Sequence, residues 1–128
     1  MTIRRIETGR PYESKVRHGA GTAVGGEVFY TSGLTSRDRD GNIVGAGDMA
    51  AQIVQVFANV GDALGAAGTD VSRVVKYTIY VTDIGAYLRA SDKAAPYTAH
   101  RQSSTLIQVS RLAHPDLMIE VEAIAALE

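Results

Sequence analysis

The sequence predicts an α+β fold. Several short segments alternate apolar and polar residues, the pattern of half-buried strands. Two longer segments carry apolar residues at helical spacing instead. The segments run β-β-β-α-β-α-β-β, which groups the strands in runs and favours a mixed sheet.

The elements follow in chain order. "TIRRIETG", residues 2–9, has the β-branched character of a first strand. "GTAVGGEVFYTSG" reads as a hairpin, with Gly25 and Gly26 forming a two-residue turn between "TAV" and "EVFYTS". "SRDRDGNIVGAGD" is polar and glycine-rich, and Asp40-Gly41 marks it as a loop. The clearest helix spans "DMAAQIVQVFANVGDALGAAG", with Met49, Ile53, Val56, Phe57, Val60 and Leu64 on one stripe. Asp48 can cap its start, and Gly65 and Gly68 can stop it. "VSRVVKYTIYVTD" is a strand with Val75, Tyr77, Ile79 and Val81 on one face and Val74, Lys76, Thr78 and Tyr80 on the other. A second helix runs through "IGAYLRASDKAAPYTAH", and Pro96 should kink or end it. "STLIQVS" and "DLMIEVEAIA" close the chain as strands.

Length and composition set bounds. The 128 residues suit one domain, residues 1–128. There is no run apolar enough for a bilayer and no apolar leader in "MTIRRIETGR", so a cytoplasmic protein is expected. Without cysteine there is no disulfide, thiolate nucleophile or thiolate metal site. The balance of 13 basic and 14 acidic residues argues against a nucleic-acid footprint.

Two carboxylates stand out. In the last strand Ile119, Val121, Ala123 and Ala125 make one fully apolar face, which belongs against the helices. Glu120 and Glu122 share the opposite face with Met118 and Ile124. Nothing in the sequence supplies a second layer there, although Val, Ile, Leu and Tyr residues also face that way. An uncovered apolar face implies self-association. A carboxylate on a covered face must be paired, hydrogen-bonded, protonated or functional.

Here the residues carry a resemblance. "QVSRLAHPDLMIEVEAIA" resembles the C-terminal signature of the Rid (reactive intermediate deaminase) family, also called the YjgF family. "FYTSGLT", "VGAGDMAAQIVQVFANVGDALGAAG" and "VVKYTIYVTD" match the same pattern in order. The resemblance implies a chorismate-mutase-like fold: a mixed six-stranded sheet with two helices on one face, assembled as a homotrimer with ligand clefts between subunits. It implies hydrolysis of reactive enamines or imines with release of ammonia, needing no metal, flavin or nucleotide. Small-molecule substrate and the homotrimer itself are the partners expected, with neither nucleic acid nor membrane.

Site residues carry over one by one. Glu120 matches the glutamate that orients and deprotonates the attacking water. Ser32 and Gly33 match the strand end lining the cleft. Thr105 and Leu106 match the segment whose backbone amides face the ligand. Tyr87 matches an aromatic that closes the pocket from the adjacent chain. Ser32 and Thr105 also suit plain strand packing, and Tyr87 a helix core. Ser104 departs from the pattern, standing where active deaminases carry an arginine that clamps the substrate carboxylate bidentately. Arg101 lies three residues earlier. The family's cleft tyrosine has no clear match either, since Gly19 falls about there, with Tyr12 and His18 nearby. His18 is a candidate general acid because an imidazole titrates near neutrality. His114, before Pro115, reads as part of a turn, and His100 as surface. The three histidines are too dispersed for a metal site.

The reading is therefore a hydrolytic deaminase acting on a non-canonical imine. A non-catalytic trimer that binds a small ligand is the alternative. An endoribonuclease or translation inhibitor ranks third, given the weak charge and the lack of an aromatic platform.

Overall fold

The computed structural model describes residues 3–7, 11 and 21–127. Among these residues, six strands and two principal helical segments appear in the expected order. They are β1 (Ile3–Ile6), β2 (Gly21–Val24), β3 (Val28–Tyr30), α1 (Met49–Ala66), β4 (Val74–Val81), α2 (Ile84–Ala90), the single turn α3 (Ala95–Thr98), β5 (Ser103–Gln108) and β6 (Ile119–Ala126). The main sheet has the order β3-β6-β4-β5. Its β4–β5 pair is parallel and the other two pairs are antiparallel, so the sheet is mixed.

The helical stripe is buried as its spacing requires. Met49, Ile53, Val56, Phe57, Val60 and Leu64 all face the core. They meet Tyr77, Ile79 and Val81 of β4 and Ile119, Val121, Ala123 and Ala125 of β6 in one cluster. Burying each Val, Ile, Leu or Phe contributes about 1.5–3 kcal/mol. Phe57 also meets Tyr77 edge-on, with ring centroids 5.7 Å apart, and stacks on Tyr97 at 5.3 Å. Asp48 caps α1 by accepting from Ala51 N at 3.1 Å, and Gly68, at φ 81°, carries the chain out of the helix. Val74 and Val75 are both buried, because a register shift between Val74 and Lys76 breaks the alternation there.

Three expectations are corrected. The segment 21–33 is not a hairpin: β2 pairs with β1, from Ile3↔Val24 to Ile6↔Gly21, while β3 pairs with β6. The six strands are thus divided between a two-stranded and a four-stranded sheet. An isolated two-stranded hairpin is marginal in water, whereas β3 gains a ladder with β6 and packs Phe29 against the core. Gly26, at φ 86°, turns the chain from one sheet to the other. Pro96 does not end the second helix. The chain tightens earlier, into a 3₁₀ turn over Ser91–Ala94, and Pro96 sits in the first turn of α3, where a missing N–H costs nothing.

One buried residue on α1 is polar. Gln52 is 0% exposed. Its Nε2 donates to Gly45 O at 3.1 Å and Asp116 O at 2.8 Å, and its Oε1 accepts from Met118 N at 2.8 Å. One side chain thus ties the helix to the loop before it and to the entry of β6. Gln52→Ala would take away three hydrogen bonds to backbone groups at the edge of the core, each contributing about 0.5–1.5 kcal/mol, and leave a gap in the α1 stripe. Urea denaturation should show a loss of about 3 kcal/mol or more. A loss under about 1 kcal/mol would show that these bonds are replaceable by water.

Candidate active site

The alternation along β6 sets the site. Ile119, Val121, Ala123 and Ala125 are buried under α1, and Glu120 and Glu122 lie half-buried on the opposite face. Cross-strand from them on β4 are Tyr80, opposite Glu120, and Thr78, opposite Glu122. Tyr80 Oη donates to Glu122 Oε1 at 3.0 Å. This bond, reinforced by desolvation and by the two carboxylate charges, raises the Tyr80 phenol pKa. The bond is therefore present below the ordinary phenol value and is lost as pH rises through the raised one. Among the described residues the Glu120 side chain has no hydrogen bond, and neither glutamate has an ion pair. Lys76, on the same face, donates instead to Thr105 Oγ1 at 2.7 Å.

The chain after β3 is zipped to β6 beside these glutamates. Thr31 N donates to Ala123 O at 2.9 Å, and Ala123 N donates to Thr31 Oγ1 at 2.9 Å. Leu34 and Val121 exchange a reciprocal pair of backbone bonds at 2.8 and 2.9 Å. Exposed Ser32 and Gly33 are held between these anchors. The Glu120 carboxylate lies over Gly33 so closely that a Cβ there would run into its oxygen, with the carboxyl carbon at 2.9 Å. Glu120, Gly33 and Ser32 are thus brought together.

Tyr87, Ser104 and Leu106 lie elsewhere. Ser104 pairs with Tyr77 and Leu106 with Ile79, so both point to the helix side of the sheet. There they border a cavity of about 340 Å³ with Tyr77, Ile79, Tyr87, Leu88, Ser91, Thr98 and Gln102. Tyr87 is buried on α2, which Asp83 caps through Ala86 N at 3.0 Å. Thr105, between Ser104 and Leu106, points to the other side with Lys76. Within one chain, then, Glu120 is on one side of the sheet and the cavity on the other.

The remaining candidates sort plainly. Arg101 takes a positive φ of 57°, forms an ion pair with Glu7 and does not border the cavity. His114 closes the expected turn: its Nδ1 accepts from Asp116 N at 3.0 Å and its carbonyl from Leu117 N at 3.0 Å. His18, with Tyr12 and Gly19, lies outside the described residues. Sequence reasoning missed Gln102, Ser91 and Thr98 as cavity residues, and it placed Tyr77 on the core face without seeing the space beside it. A buried Gln just before a strand carries no periodic signal, so nothing in the pattern marked Gln102.

A family model described as endoribonuclease L-PSP matches residues 2–127. The chain belongs to the Rid (YjgF) family. A RutC family protein of Pyrococcus horikoshii is 30% identical over 119 residues, covering 92% of this chain and 88% of the relative. Protein DfrA of Myxococcus xanthus is 32% identical over 116 residues, covering 90% and 84%. Among solved structures, the Rid family protein YyfB of Yersinia pestis superposes with a TM-score of 0.86 at 28% identity, covering 99% of this chain and 100% of that one. The YjgF gene product of E. coli gives a TM-score of 0.70 at 29% identity, covering 80% and 83%. The Rid fold therefore holds for this chain, with its helices on one face of a mixed sheet.

Gly33 tests the Glu120 geometry. Its backbone does not occupy the left-handed region, so alanine is allowed there. The obstacle is the far end of a flexible side chain. Gly33→Ala should fold with stability changed by less than about 1 kcal/mol, while the Glu120 carboxylate swings off the loop. A crystal structure and a urea melt of the variant check both. An unmoved carboxylate would contradict the contact.

Proposed function

We propose that this Rid protein is a cytoplasmic single-domain hydrolase that deaminates an imine or enamine, with Glu120 as the group that orients and deprotonates water. The observation that carries this reading is the state of Glu120: half-buried, unpaired among the described residues, and packed over a glycine at the edge of an open sheet face. A carboxylate without a partner is available to a water molecule and to the carbon that water attacks. Glu122, bonded to Tyr80, is the structural member of the pair.

In the proposed reaction water adds to the imine carbon as Glu120 takes its proton. From the protonated imine this gives a carbinolamine. The carbinolamine is protonated on nitrogen, its C–N bond breaks as the C=O bond forms, and the hydroxyl proton passes to the departing ammonia, leaving a carbonyl product and ammonium. Glu120 can return its proton to the leaving amine, so no net proton remains on the protein. Ser32 and Gly33 border the reacting end. Tyr87, Ser104 and Leu106 bind the rest of the substrate, and Thr105 fixes the strand between them through Lys76.

Two supports favour self-association, for which the family offers the trimer. Among the described residues, the face that carries Glu120, Glu122, Thr78 and Tyr80 has no helix over it. The reacting carboxylate and the cavity also lie on opposite sides of one sheet, so a substrate spanning both needs a second chain. We therefore infer a homotrimer with clefts between neighbours, in which one copy supplies Glu120 and the next supplies the cavity.

Glu120→Gln decides the catalytic reading. Glutamine keeps the volume but cannot take a proton from water. Turnover of imines generated in situ by an amine oxidase should fall by about 10²-fold or more, with the sedimentation mass still that of a trimer. Retained turnover would remove Glu120 from the chemistry and favour a ligand-binding role. A monomer at micromolar concentration would remove the shared cleft.

A further inference from the structure

The cavity beside β5 has a lining of one chemical kind. Ser91, Thr98 and Ser104 bring hydroxyls, Gln102 brings an amide, and Leu88 and Leu106 bring apolar walls. Among the described residues no charged side chain borders it. Arg101 is engaged with Glu7, and Arg89 and Lys93 are exposed outside the lining.

The polar part is rigid. Gln102 is 2% exposed, with Nε2 donating to Tyr97 O at 2.5 Å and Oε1 accepting from His100 N at 3.2 Å. Tyr77 forms part of the wall, held against Phe57, and its fully buried hydroxyl lies by the Gln102 side chain without a hydrogen bond of ordinary geometry. Burial raises its pKa well above the ordinary phenol value, so the hydroxyl stays neutral.

Such a lining discriminates by charge. A carboxylate entering it gives up water and meets no cation among the described lining residues, which makes its burial unfavourable. An amide, lactam or alcohol gives up less. Its N–H or O–H can meet the oxygens of Ser91 and Thr98, whose own protons go to Leu88 O and Ala94 O. Its oxygen can accept from Ser104, while the leucines accept a ring or short chain. Rejection of the charged competitor is as much a part of the selectivity as attraction of the neutral one.

We propose that this cavity selects an uncharged substrate end, an apolar group carrying a neutral hydrogen-bonding function, and rejects carboxylates. The inference rests on the reading that the cavity is the substrate-binding half of the site. It gives Ser104 a positive role: a hydroxyl here admits neutral molecules that an arginine would not favour.

Benzamide and benzoate, matched in size and shape, are the probes. Their dissociation constants are measured at pH 7 by ligand-observed NMR on the unmodified protein and on Glu120→Gln. Benzamide should bind about tenfold or more tightly than benzoate in both. Leu88→Trp, at an exposed position on the rim, should abolish benzamide binding without lowering Tm. Ser104→Arg should reverse the preference. Equal affinities, tighter benzoate, no binding of either probe, or benzamide binding that survives Leu88→Trp would each overturn the inference. Failure of the deaminase reading appears separately, as turnover that survives Glu120→Gln.

Discussion

Everything in this molecule follows from a sheet that its own helices cover on one side. The two-residue period of β4 and β6 sends Tyr77, Ile79, Val81, Ile119, Val121, Ala123 and Ala125 under α1. The same period forces Lys76, Thr78, Tyr80, Glu120 and Glu122 onto the other side. A one-residue slip would exchange the two sets and bury the glutamates under the helix, so the core fixes the register on which the site depends. The carboxylates stand where they do because the neighbouring residues are in the core.

Buried and half-buried amides then place the loops. Gln52 ties α1 to Gly45 and to the start of β6, and Asn59 Nδ2 donates to Thr35 O and Arg37 O, both at 2.8 Å. Gln55 in turn donates to Asn59 Oδ1 at 2.9 Å and orients it. These bonds hold the segment after β3 against the sheet, and that segment carries Gly33 to the Glu120 carboxylate. Helix polarity thus reaches the candidate site through three amides that never touch it. Gln102 does the same for the other half, fixing the turn between α3 and β5 that brings Ser104 to the cavity wall.

Much of this was legible from the chain. The α1 stripe, the Asp48 cap and both faces of β6 follow from spacing, because burial of a regular element is periodic. The hairpin at Gly25-Gly26 was misread because local turn chemistry says nothing about a better partner far along the chain, here β6. Gln52 escaped notice because one polar residue inside an apolar stripe is indistinguishable from a stripe edge until its partners are known. The division of the site residues was implicit in their numbering: Thr105 alternates with Ser104 and Leu106. It became visible only once the parallel pairing with β4 set which side each one faces.

That division is the centre of the account. Glu120 and the cavity lie on opposite sides of one sheet, so the proposed site would take its carboxylate from one copy and its cavity from another. Mixing inactive variants tests this most directly. Glu120→Gln lacks the carboxylate, and Ser104→Trp fills the cavity, so each alone should be inactive on the imine that the unmodified protein hydrolyses fastest. Unfolded together and refolded as mixed trimers, they should recover roughly a quarter of the unmodified activity, because random assembly pairs an intact carboxylate with an intact cavity at that fraction of sites. Mixed trimers that stay as inactive as the parents would contradict a site shared between chains.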